Sequence, residues 1–189
     1  PAMMLAGRIG LVQVADELLT VPGAKGCAGT KLTSVLAGML AGADSIDDLD
    51  VLRHGAMARL FGGVRAPSTL GSFLRSFRFG HVRQLDAVAS RFLAALTGLT
   101  WLLGYPQQAS RTPGVALLDV DDTIIEVHGH QKQGAGFGYS RVRGLNALIA
   151  TLATATTAPI IVAQRLRKGA CGSPRGANRL IADAVKQAR

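Results

Sequence analysis

Cysteine is almost absent from this chain of 189 residues, and the two present, Cys27 and Cys171, are far apart. Such a pair forms neither a disulfide framework nor a zinc-binding spacing, so a reducing compartment is expected. Aromatic residues are scarce at 5%, too few for a protein that binds single strands on successive stacking platforms. Charged residues make up 17% of the chain against 48% hydrophobic, a balance that excludes wholesale disorder. The start, Pro1-Ala2-Met3-Met4, lacks the basic stretch of a signal peptide. It also lacks an initiator methionine, which suggests a piece of something longer. Two runs carry no charge, 92–110 and 144–164. The first is broken by Gly98, Gly104 and Pro106; the second holds Asn146 and Pro159 and reads as two strands, so no membrane span is expected.

What is present in excess is positive charge. The net charge is +9 and the isoelectric point is near 10.6, which points to a polyanionic partner and to a cytoplasmic, nucleoid-associated protein. Residues 1–113 hold 11 basic and 7 acidic side chains and residues 114–189 hold 10 and 5, so neither half is a charged tail. The cations cluster locally, as Arg75, Arg78 and Arg83, as Lys132, Arg141 and Arg143, and as Arg165, Arg167, Lys168 and Arg175. These ten are the candidate DNA-backbone contacts.

The pattern of apolar residues divides the chain into an α+β arrangement. Residues 1–105 read as helical, with helices near Ile9–Leu19, over Lys31–Leu40 with Thr30 as cap, over Ile46–Phe61, from Pro67 to Phe77, and from Gly80 to about Thr97. The pair 31–40 and 46–61 has the form of a helix-turn-helix, although Asp44, Asp47, Asp48 and Asp50 would repel phosphate. A breaker-rich linker spans 106–114. Beyond it, Val115–Val120, Thr123–Val127, Leu145–Thr154 and Pro159–Leu166 read as strands. A Gly-rich segment from Gly129 to Gly144 interrupts them, and a helix opens at Ser173-Pro174.

The chemistry concentrates in Leu117-Leu118-Asp119-Val120-Asp121-Asp122-Thr123. Alternation along a strand places Asp119 and Asp121 on one face, about 6–7 Å apart, with Asp122 pointing away. Like charges at the end of a buried strand demand a compensating cation or proton. Mg²⁺, which takes one or two carboxylates and substrate phosphate oxygens, is the expected compensation. A solvated turn with aspartate capping loop amides is the plain alternative. His128 and His130 read as loop histidines rather than metal ligands, and the Gly-rich segment lacks the phosphate-loop motif. Interleaved with Phe137 and Tyr139 and flanked by Lys132, Arg141 and Arg143, that segment suits a loop meeting a DNA backbone or base.

Two families carry such a motif. An apolar strand followed by D-x-D-x-T resembles the first motif of haloacid-dehalogenase-type phosphatases, which would make Asp119 the nucleophile and Asp121 the acid/base. The closing acidic pair is missing, because after Glu126 the one carboxylate side chain is Asp183. More of the chain is similar to DDE-type insertion-sequence transposases of the thirteen-eighty group. The resemblance lies in LLDVDDTIIEVHGHQKQGAGFGYSRVRGLNALIATLAT and IIVAQRLRKGACGSPRGANRLIADA, and upstream in AGADSIDDLDVLRHGAMARLF and APSTLGSFLRSFRFGHVRQLDAV.

That resemblance implies an all-α region followed by the opening strands and first helix of a ribonuclease H-like α/β domain. It implies DNA transposition, with double-stranded DNA at terminal inverted repeats as partner and a homodimer in the DNA complex. Asp121 matches the first catalytic acid best and Asp119 less closely; both are candidate Mg²⁺ ligands of a two-metal site. The family's second aspartate and its glutamate lie on later elements. The chain is therefore expected to be an N-terminal portion, inactive alone, with an exposed sheet edge, an open apolar face and aggregation or partial order beyond about residue 113. A non-catalytic DNA-binding remnant is the third reading.

Overall fold

A computed structural model describes residues 1–61, 63–102, 115–129, 132–155 and 157–188. The chain is mixed α+β and divides into two compact units, Pro1–Tyr105 and Pro106–Arg189. The expected linker at 106–114 lies outside the described residues. No helix among the described residues is long and apolar enough to cross a membrane.

In the first unit, α1 (Ala2–Arg8) and α2 (Leu11–Leu18) replace the single helix expected near Ile9–Leu19. Gly10, at φ 77°, breaks them apart in a left-handed conformation that a helix interior does not admit. α3 (Ala28–Leu40) starts earlier than the Lys31 expected, with Cys27 rather than Thr30 at its cap position. The reason is a cap supplied from elsewhere in the chain. Asp16 Oδ1 of α2 accepts the Gly29 amide at 2.8 Å, satisfying a first-turn donor. Gly29 also lets the helices touch through backbone, since a Cβ there would sit 2.2 Å from the Val12 carbonyl oxygen.

The helix expected over Ile46–Phe61 does not exist as one element. Asp47–Arg53 forms a 3₁₀ helix, and only Met57–Leu60 (α4) is α-helical. Ser45 and Asp48 exchange reciprocal capping bonds, Ser45 N to Asp48 Oδ2 at 3.0 Å and Asp48 N to Ser45 Oγ at 3.2 Å. Gly55 at φ 58° then ends the run. The described residues 46–61 therefore do not form the second helix of the expected helix-turn-helix. α5 (Pro67–Arg75) begins with proline at its first turn, and α6 runs over Phe79–Leu102. Leu11, Ala15, Ala28, Phe73 and Val88 form the core of this unit, with Leu32, Leu36, Phe77 and Phe92 packed around it.

The second unit is a four-stranded antiparallel sheet and one helix. Its elements are β1 (Leu117–Glu126), β2 (Gly136–Phe137), β3 (Arg143–Thr154), β4 (Thr157–Lys168) and α7 (Ala177–Ala188). β3 is central: β1 pairs with one side, β4 and the short β2 with the other. α7 covers one face, where Leu180 and Ala184 pack on Leu148, Ala150 and Val162. Burying Leu180 completely contributes about 1.5–3 kcal/mol. Val162 sits where the β3–β4 register slips, between Ala150↔Ala163 and Thr151↔Ile161, a bulge that turns an extra apolar side chain inward.

Two expectations change here. The strands expected at Val115–Val120 and Thr123–Val127 are one strand, paired to β3 without interruption from Leu117↔Ala153 to Glu126↔Gly144. α7 begins at Ala177 and not at Ser173-Pro174, because Gly176 holds φ 84° just before it.

Candidate functional site

β1 is an edge strand with two chemically different faces. Leu118, Val120, Asp122 and Ile124 face inward and are partly buried, whereas Asp119, Asp121 and Thr123 are exposed. The acids thus lie within a strand and not at its end, as the sequence reading had them. The backbone explains why: each residue from 117 to 126 has a β3 partner, and β-branched Val120, Thr123, Ile124 and Ile125 favour the extended form.

On the outer face, Asp119, Asp121, Thr123, Ile149 and Thr151 line a shallow cavity of about 250 Å³ bordered by Asp122. Asp119 lies opposite Thr151 and Asp121 opposite Ile149. Asp121 Oδ1 accepts the Asp122 amide at 2.8 Å, which biases its carboxylate orientation. Among the described residues, no ion pair neutralises Asp119 or Asp121. Two solvated carboxylates on one face fit the protein share of a Mg²⁺ site, whose remaining positions go to water and phosphate oxygens. No group of three His, Cys, Asp or Glu able to hold a metal comes together among the described residues. Asp119 and Asp121 are the two carboxylates on that face among the described residues. His130, weighed as a ligand beside His128, lies outside the described residues.

Asp122 behaves in the opposite way. Its side chain is 10% exposed and pairs with Arg167, 6% exposed, at 3.1 Å. Asn146, 1% exposed, donates to Asp122 Oδ2 at 2.6 Å and accepts from Arg167 Nε at 2.8 Å. The Ser173 hydroxyl donates to Asp122 Oδ1 at 3.1 Å. The Asn146 bond is the largest of the causes that hold the Asp122 carboxyl below its ordinary value, with Ser173 and Arg167 adding to it and burial opposing. Arg167 Nη1 reaches the carbonyls of Gly172, Ser173 and Arg175 at 3.3, 3.0 and 2.7 Å, so one guanidinium ties the loop before α7 to the sheet.

The expected DNA contacts separate accordingly. Arg167 is buried and fully engaged by the chain, so it does not present itself to phosphate. Arg83 pairs with Asp86 at 2.7 Å, and Arg165 lies 3.6 Å from Asp183. Arg143 Nη1 donates to the Val127 and Gly129 carbonyls at 3.4 and 2.6 Å and holds the base of its own loop. Arg75 and Arg78 in the first unit, and Lys132, Arg141, Lys168 and Arg175 in the second, are exposed. Ser173, at the expected helix opening, is bonded to Asp122.

Sequence reading missed the Asp122–Asn146–Arg167–Ser173 cluster. The signal was there: strand alternation turns Asp122 inward, an inward carboxylate needs a cation, and Arg165 and Arg167 are the alternating cations of the last strand. No protein-family model matches the chain, and no curated protein or solved structure is significantly similar to it.

Proposed function

We propose that the second unit is the opening half of a ribonuclease H-like domain of the DDE transposase kind. In this reading Asp121, assisted by Asp119, provides the first ligands for a divalent cation at a DNA phosphodiester. The observation that carries it is the division of labour along β1: Asp122 is neutralised inside, while Asp119 and Asp121 on the open face have no ion-pair partner among the described residues. An antiparallel run of three long strands followed by a helix on one face supports it as well. Bound there, Mg²⁺ would activate a water or a 3′-hydroxyl and stabilise the leaving oxygen.

The chain's own part is positional. The ladder to β3 fixes the spacing of the two carboxylates, and the Asp122 amide holds Asp121. Exposed Lys132, Arg141, Lys168 and Arg175 supply phosphate contacts, with Arg75 and Arg78 adding theirs from the first unit. In this reading the chain binds inverted-repeat DNA, as a homodimer on paired ends. The phosphatase reading gains no support: its motif follows a strand, whereas here it lies inside one.

Mn²⁺, visible by electron paramagnetic resonance, tests the site on the full chain. One ion is expected to bind, with affinity lowered at least tenfold by Asp121→Asn and less by Asp119→Asn. Unchanged binding in the double variant would overturn the assignment. Hydrolysis of a phosphate monoester, lost on Asp119→Asn, would transfer the site to the phosphatase chemistry.

A further inference from the structure

The loop between β1 and β3 leaves two aromatic rings in water: Phe137 is 66% exposed and Tyr139 82%. Rings of this size usually bury most of their surface, so a pair left outside marks a contact surface. Their backbone is well anchored. Phe137 pairs with Arg143 in the β2–β3 ladder, and the Arg141 amide closes a turn onto Gly138 O at 3.1 Å with Tyr139 at its corner. Behind the rings the backbone packs without side chains: a Cβ on Gly138 would lie 2.8 Å from Gly169 O, and one on Gly169 would lie 2.5 Å from Gly136 O. Arg143 closes the loop base through the Val127 and Gly129 carbonyls. The rings are thus presented on fixed backbone.

Charge selects the partner. From Val127 to Arg143 the chain holds Lys132, Arg141 and Arg143 and not one carboxylate. A surface that offers cations to an anion and ring faces to flat partners fits nucleic acid whose bases are accessible. Arg141, exposed at φ 59° beside Tyr139, is placed to add a cation to the same surface. Two rings serve one or two bases, in keeping with the low aromatic content of the chain as a whole.

We propose that Phe137 and Tyr139 stack on unpaired bases of single-stranded DNA, while neighbouring cations hold the flanking phosphates. This rests on the reading that the second unit handles DNA, and it adds which form of DNA the loop engages. The test uses the full chain and fluorescence anisotropy at fixed salt, with labelled oligothymidylate, an abasic strand of equal length and charge, and a duplex.

Wild type is expected to prefer oligothymidylate to the abasic strand. Phe137→Ala and Tyr139→Ala should each weaken oligothymidylate binding about tenfold and leave the abasic strand unchanged, with Phe137→Trp restoring affinity. Lys132→Ala should weaken both strands alike. Equal wild-type binding to the two strands, or a double alanine variant that binds oligothymidylate as wild type does, would overturn stacking while leaving the phosphate contacts standing. Binding to none of the three would overturn the DNA reading itself. An apolar protein partner in place of DNA would give that last result.

Discussion

Removing Arg167 should unfold the second unit far more readily than removing any exposed arginine. Arg167→Met leaves the Asp122 carboxylate buried without its cation and strips hydrogen bonds from the carbonyls of Gly172, Ser173 and Arg175. Breaking one side of a buried pair costs about 3–5 kcal/mol. A unit of this size has a stability of about 4–12 kcal/mol, so the loss is a quarter of the total or more. Amide hydrogen exchange in β3 and α7, followed against urea, reads this unit separately from the first. The cycle of Asp122→Asn, Arg167→Met and the double variant should show coupling of about 1–3 kcal/mol. Additivity within about 0.5 kcal/mol would refute the network. Acid gives an independent check. The folded Asp122 carboxyl titrates below its ordinary value of 3.8, so its contribution is fully present above that value and lost as the pH falls through the lowered one. Asp122→Asn should flatten the unit's acid-induced loss of stability in that range.

Two glycines give sharper steric tests. Gly169→Ala would place a Cβ 2.0 Å from the Gly144 carbonyl oxygen, backbone against backbone, and should cost the second unit about 3 kcal/mol or more in urea. Gly29→Ala would force α2 and α3 apart at the Val12 carbonyl and should lower the first unit's stability by about 2–3 kcal/mol in a circular-dichroism melt, whereas Gly7→Ala, with open space around it in α1, should be neutral or mildly stabilising.

The elements that were legible in the sequence are those with strong local signals. Pro67 opened α5 and the β-branched runs placed β3 and β4 within a few residues. The helix break at Gly10 and the late start of α7 at Gly176 were missed because each depends on a glycine adopting positive φ, and most glycines in a sequence do not announce that. The 46–61 region failed differently: its apolar spacing suits a helix, but the Ser45–Asp48 exchange starts a tighter 3₁₀ turn and Gly55 ends it. At the site, alternation correctly separated Asp119 and Asp121 from Asp122. What it left out was Asn146, which neutralises nothing by charge and so looks like any polar residue in an apolar strand. Its role exists only because pairing with β1 and β4 brings an acid and an arginine to either side of it.

The acidic edge of the sheet has a consequence for how copies of this chain meet. β1 carries an open row of backbone donors and acceptors, the usual seed for strand-on-strand growth. Two copies laid antiparallel along their full length would set Asp121 against Asp122, and sliding either way by one residue brings Asp121 against itself or Asp122 against itself. The register that sets Asp121 against itself therefore meets like charges, which are destabilising directly across a ladder. The exposed carboxylates of this strand thus act as gatekeepers. Replacing Asp121 by asparagine would remove the barrier and leave an edge free to polymerise.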